Sequence, residues 1–151
     1  MHASTTSRRL RHFLASLCFL VLVFGIGGCG SSPEASYPSD QSLINTFQAN
    51  QAAFAKLVSN PEDKALHAQL GIRRVLSNTA NPKHVMFEVW FHDFPGPGGA
   101  TKGYSYMEKA PPADRLVESI DKLTNPPISP EEKSLSRRIQ GNWYLYFQSS
   151  H

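Results

Sequence analysis

His84-Val85-Met86-Phe87-Glu88-Val89-Trp90-Phe91-His92-Asp93 carries the alternation of a half-buried strand. Val85, Phe87, Val89 and Phe91 recur at every second position, so an extended backbone puts all four on one face. Their β-branched and aromatic side chains suit a pleated surface. Downstream, Pro95, Gly96, Pro97, Gly98 and Gly99 make Phe94 to Thr101 a loop. Lys102 to Glu108 reads as the next strand, broken by Ala110 to Pro112. Leu135 to Gln140 and Trp143 to Gln148 flank Gly141-Asn142, which is a hairpin with glycine first in a two-residue turn. Upstream, Ile72 to Ser77 predicts a short strand, and Asn78 to Lys83 is a turn cluster.

Before the strands the period changes to that of a helix. Ser39 or Asp40 offers an N-cap, and Leu43, Ile44, Phe47, Phe54, Leu57 and Val58 form one apolar stripe. Asn60-Pro61 ends this helix and begins a second, with Asn60 as cap and Glu62 and Asp63 at its positive end. Gly71 is its predicted C-cap. Between the third strand and the hairpin, Leu116, Val117, Ile120 and Leu123 share one helical face or belong to an ordered loop. Asn125 to Pro130 is a rigid connector. Helices followed by strands on short links predict an α+β fold: N-terminal helices packed on one face of an antiparallel β-meander of about four to five strands.

The first 28 residues have a different grammar. Arg8, Arg9 and Arg11 precede an uncharged apolar run from Phe13 to Ile26, which ends in Gly27-Gly28-Cys29. A basic start, a short apolar stretch and small residues at the cut make a secretory signal. A transmembrane helix needs about 20 apolar residues, more than this run supplies, and a plain cleaved signal leaves Cys29 as a stray thiol. Ile26-Gly27-Gly28-Cys29 resembles a bacterial lipobox. That resemblance implies cleavage before Cys29, acylation of its thiol by palmitate-type chains and often of the new amino terminus. Several chains hold a protein firmly on a bilayer. Ser7-Arg8-Arg9 is similar to a twin-arginine start, but Leu10-Arg11-His12 departs from it, which favours general secretion. Gly30, where an aspartate can retain lipoproteins at the inner membrane, favours the outer membrane with the domain facing the periplasm. Gly30 to Ser39 is rich in serine and proline and reads as a tether. The expected organisation is residues 1–28 as signal peptide, 29–39 as lipidated cysteine and flexible tether, and 40–151 as one domain.

Composition changes once the leader is set aside. Of 15 basic residues three lie in the leader, which leaves 12 against 12 acidic ones. The mature chain is formally neutral, so no nucleic acid is expected as partner. Cys18 leaves with the leader and Cys29 takes lipid, which removes disulfides, thiolate catalysis and cysteine-zinc sites. No cofactor is expected.

Lys102-Gly103-Tyr104-Ser105-Tyr106, followed by Pro111-Pro112, and Gly141-Asn142-Trp143-Tyr144-Leu145-Tyr146 resemble segments of a group of small uncharacterised bacterial lipoproteins. Those pair a Phe-rich helix with a lysine-glycine-tyrosine strand and a glycine-asparagine-tryptophan-tyrosine strand. The resemblance implies an architecture and carries no mechanism.

The residues give little purchase to catalysis. His84, Glu88 and His92 share a strand face, but neighbours four apart lie roughly 13 Å from each other, too far for one metal ion. No metal site is expected. No nucleophile elbow surrounds a serine, and Glu62-Asp63 and Glu131-Glu132 are explained by helix dipoles. Gly96 to Lys102 lacks both the spacing and the following helix of a phosphate loop. The aromatic pattern offers more. Trp143, Leu145 and Phe147 take one strand face, and Tyr144 and Tyr146 take the other. Tyr104 and Tyr106 are expected to form a matching stripe, so that the four tyrosines make either a binding surface or cross-strand pairs that stiffen the sheet.

The leading expectation is therefore a membrane-anchored cell-envelope lipoprotein, a non-enzymatic binding or accessory module for an envelope protein or peptide. Alternatives are an envelope hydrolase or metal-dependent factor using His84 and His92, and a structural subunit of an envelope complex.

Overall fold

A computed structural model describes residues 36–80, 82–124 and 132–150. The leader, Cys29, most of the tether and the 125–130 connector lie outside these residues. In chain order the described part holds α1 (Asp40–Ala49), α2 (Gln51–Ser59), α3 (Lys64–Leu70), β1 (Arg74–Ala80), β2 (Lys83–Asp93) and β3 (Gly99–Met107). A 3-10 turn (Ala113–Arg115) follows, then β4 (Lys133–Gln140) and β5 (Trp143–Ser150). The class is α+β, with three helices and one antiparallel five-stranded sheet among the described residues.

The long apolar stripe from Leu43 to Val58 is two helices, not one. Asn50 leaves helical geometry at φ −128° and turns its side-chain amide onto the Thr46 carbonyl at 2.9 Å. Asparagine competes in this way for backbone partners, so it ends one helix and opens the next. Ser39 is the N-cap of α1 and accepts from the Ser42 amide. The cap of α3 is Asp63, which accepts from the Ala65 and Leu66 amides, and not Asn60. Gly71 closes α3 in the left-handed region at φ +68°. The segment after Pro112 makes a single 3-10 turn where a longer helix was an alternative.

The sheet order is β1-β2-β3-β5-β4. The first three strands form a meander, but the last two are exchanged, which corrects the simple meander. The physical reason lies in their side chains. β5 carries Trp143, Tyr144, Leu145, Tyr146 and Phe147, all buried, and fits an interior position. β4 reads KSLSRRIQ, and charged, polar residues protect an edge. Residues 108–124 connect β3 to the far side of β4. Leu116 bridges Ser136 in parallel, and the Val117 amide donates to the Ser136 carbonyl at 2.9 Å. The chain then delivers Ile120, fully buried, to the core.

One bulge decides which side chains share a face. Glu88 pairs with Gly103 and Trp90 with Lys102, so Val89 is the extra residue. An inserted residue inverts the alternation beyond it. Val85 and Phe87 therefore share the first face with Tyr104, Tyr106, Trp143 and Leu145, and past the bulge Trp90 and Lys102 continue that face. Phe91 pairs with Thr101 on the second face, so the four-residue stripe of β2 is broken at Val89. Gly103 makes the close approach possible: a Cβ there would land on the Phe87 carbonyl oxygen.

The core lies on the first face. Phe47 meets Trp143 at 5.7 Å between ring centroids, and Phe54 meets Tyr104 at 4.7 Å and Trp143 at 5.2 Å. Burying a side chain such as Phe54 or Leu57 contributes about 1.5–3 kcal/mol each. Tyr37, within the stretch read as tether, stands edge-on to Trp90 at 5.0 Å. Its hydroxyl shares a hydrogen bond with Thr124 at 2.6 Å. Packing of this domain thus begins by Tyr37.

Candidate functional site

Two polar features stand out against this core, one on each face of the sheet. On the first face, Lys102 is completely buried. Its ammonium lies 2.6 Å from Asp121 Oδ1 and 2.8 Å from Asp40 Oδ1, and donates to the Pro38 carbonyl at 2.9 Å. The Tyr37 ring lies 4.3 Å from it. Asp40, equally buried, also accepts from the Ile120 amide and from Arg137 Nη1, each at 2.9 Å. Burial pushes the Lys102 amine down, but bonds to Asp121 and Asp40 outweigh it and hold it above its ordinary value. Burial likewise raises the Asp40 carboxyl, and Lys102, the Ile120 amide and Arg137 outweigh that and leave it below its ordinary value. Lys102 is thus held protonated. A nucleophilic lysine needs the opposite shift, so this cluster is a clasp. It joins the start of α1, β3, β4 and the 119–121 loop.

The second face presents a cavity of about 540 Å³. Its floor is β-sheet: His84 and Met86 from β2, Met107 from β3, Ser134 and Ser136 from β4, Tyr146 and Gln148 from β5. The 109–115 segment closes one side with Lys109, Ala110, Pro111, Pro112 and Arg115. The prolines fix the backbone of that wall. His84 Nε2 lies 3.2 Å from Ser105 Oγ, and burial lowers the imidazole's pKa below its ordinary value. Tyr146 is almost fully buried, and burial raises its phenol well above the ordinary value. Its hydroxyl lies 3.4 Å from Thr101 Oγ1, which in turn donates to Glu88 Oε2 at 3.3 Å. Glu88 is buried and takes Arg74 Nε at 3.1 Å and Nη2 at 3.0 Å on that same oxygen.

The four tyrosines singled out in the sequence do not form one surface. Tyr104 and Tyr106 lie on the first face, where the Tyr104 hydroxyl donates to the Leu43 carbonyl at 3.0 Å and Tyr106 packs against Trp143 at 5.4 Å. Tyr144 and Tyr146 lie on the second face, since they pair with Ser105 and Gly103. The matching stripe fails because the first-face register of β3 and β5 is Tyr104 with Leu145 and Tyr106 with Trp143. Of the four, Tyr146 lines the cavity. His84 and His92 are also separated. The bulge turns His92 to the first face, where it stacks on Trp90 at 6.0 Å, while His84 stays on the second. One site cannot draw on both. Among the described residues no three His, Cys, Asp or Glu side chains are arranged to hold a metal ion.

Two parts of the cavity were missed in the sequence. Met86 and Met107 are interleaved with larger aromatics and give no pattern of their own. Arg115 belongs to a stretch whose local structure was ambiguous. Pro111-Pro112 was the available signal, a stiff segment directly after a strand. Among the described residues no helix is long and apolar enough to cross a membrane. No family model matches the chain, and no curated protein and no solved structure matches it significantly.

Proposed function

We propose that this chain is a membrane-anchored cell-envelope lipoprotein whose α+β domain is a non-enzymatic binding module. In this reading the helices close the first face of the sheet, and the second face takes a small envelope component in the cavity over Tyr146. The cavity is the observation that carries it. Its volume falls in the range of small-molecule sites, about 300–1,000 Å³, and its floor sets Met86, Met107 and Tyr146 beside a few polar groups, as such sites do. The lipobox-like Ile26-Gly27-Gly28-Cys29 supports the anchor.

Two measurements test the two halves. Labelled palmitate should enter the wild-type chain and not Cys29→Ser, which should leave the membrane fraction. Equal labelling of both refutes the anchor. Native mass spectrometry of chain drawn from envelopes should show a bound small molecule, lost in Met107→Trp, whose indole fills the cavity. Bare protein in every preparation refutes the binding role.

A further inference from the structure

The charge pattern of the cavity assigns a ligand class. None of the fourteen described residues that line it is Asp or Glu, while Lys83, Lys109 and Arg115 are basic. Lys83 turns its ammonium to the Val58 carbonyl, away from this face. Lys109 and Arg115 remain, both exposed and both on the wall that borders the opening. No described carboxylate engages either head group. Of the nearby acids, Glu108 accepts from the Lys83 amide at 2.9 Å, Glu88 on the same face is paired with Arg74, and Asp114 and Glu132 line an adjoining depression that shares Arg115, Ser134 and Gln148.

Beneath that cationic rim Met86, Met107 and Tyr146 form an adaptable apolar patch, bordered by the polar His84, Ser134, Ser136 and Gln148. Met86 and Met107 are flexible thioethers that conform to irregular bodies and make favourable contacts with aromatic rings. Tyr146 and the two prolines add flat, rigid surface. Burial at His84 disfavours the charged imidazole on the floor. A cation inside would meet two positive charges and, among the described lining residues, no carboxylate. A small inorganic anion would leave Met86, Met107 and Tyr146 unused.

We propose that the cavity binds a small amphipathic organic anion, an apolar or aromatic body on the floor with one carboxylate-type head between Lys109 and Arg115. This rests on the cavity being a binding site at all, and the test separates the two.

The full chain, held in lipid nanodiscs with methyl-labelled methionine, is titrated with 4-phenylbutyrate and with its cationic partner 4-phenylbutylamine. The carboxylate should shift the Met86 and Met107 methyl signals saturably, and the amine should bind about tenfold more weakly or worse. The double variant Lys109→Gln/Arg115→Gln should lose about tenfold in affinity for the carboxylate and lose the preference for it. Its unfolding midpoint should not move, because both side chains are exposed. If the amine binds as tightly as the carboxylate, or the double variant keeps the preference, the anion assignment is overturned while the cavity stays a binding site. If neither compound moves either methyl, the assignment falls together with the binding role.

Discussion

Replacing Lys102 by methionine probes the clasp on the first face. Methionine keeps most of the stem's volume and removes the charge, so the effect reports electrostatics and not a void. Lys102 is fully buried, with Asp121 at 2.6 Å, Asp40 at 2.8 Å and the Pro38 carbonyl at 2.9 Å. Removing one member of a buried pair costs about 3–5 kcal/mol, because the other charge is stranded. Two features pull the figure to the low end. Asp40 keeps Arg137 and the Ile120 amide, each at 2.9 Å, and the Asp121 side chain is 33% exposed and can take water. The expected loss is about 3 kcal/mol. With urea slopes of about 1–3 kcal/mol/M for small domains, the midpoint should fall by about 1–3 M. Asp40→Asn removes the stranded charge, so the double variant should be less destabilised than the sum of the singles, by about 1–2 kcal/mol. The pH window follows from the two shifts. The lowered Asp40 contributes above its ordinary value of 3.8 and is lost as pH falls through its folded value. The raised Lys102 contributes below its ordinary 10.5 and is lost as pH rises through its folded value. Both terms are present at neutral pH, where urea unfolding of the four proteins should be followed by circular dichroism. A loss below about 1 kcal/mol in Lys102→Met, or additive singles, would refute the electrostatic account.

Two further outcomes follow from the sheet. Gly103→Ala drives a methyl into the Phe87 carbonyl at the bulge and should cost about 2–3 kcal/mol, read as a Tm drop of about 10 °C or more; an unchanged Tm means that the strands do not approach so closely. Burial lowers the pKa of His84, so below its ordinary 6.5 the unfolded chain binds more protons and folded stability declines toward acid. His84→Gln should flatten urea midpoints between about pH 5 and 7, and an unaltered slope assigns that pH dependence to other groups.

The sequence displayed the elements better than their arrangement. The hairpin at Gly141-Asn142 and the cap at Gly71 were legible because each needs a backbone geometry that few residues adopt. The bulge at Val89 was hidden, since Val89, Trp90 and Phe91 are all apolar and either register buries one of them. That single insertion separates His92 from His84 and puts Trp90 beside Lys102. The inward position of Lys102 was in principle visible, because Tyr104 and Tyr106 fix the parity of β3. Its partners were not, since Asp40 and Asp121 lie 62 residues before it and 19 after it, and only the folded chain brings them together. The exchange of β4 and β5 is likewise a tertiary choice, made by comparing two strands that each satisfy the hairpin alone. The cavity depends on that exchange, because it sets Tyr146 beside β3.

The sheet order also shapes how the chain comes off the ribosome. β5, the last strand of the sheet to be synthesised, inserts between two made before it. Until it emerges, β3 has one unzipped border and β4 has only the short parallel contact with Leu116 and Val117. Such a polypeptide stays loose, and its unpaired borders are open to wrong pairing until translation of that strand is done.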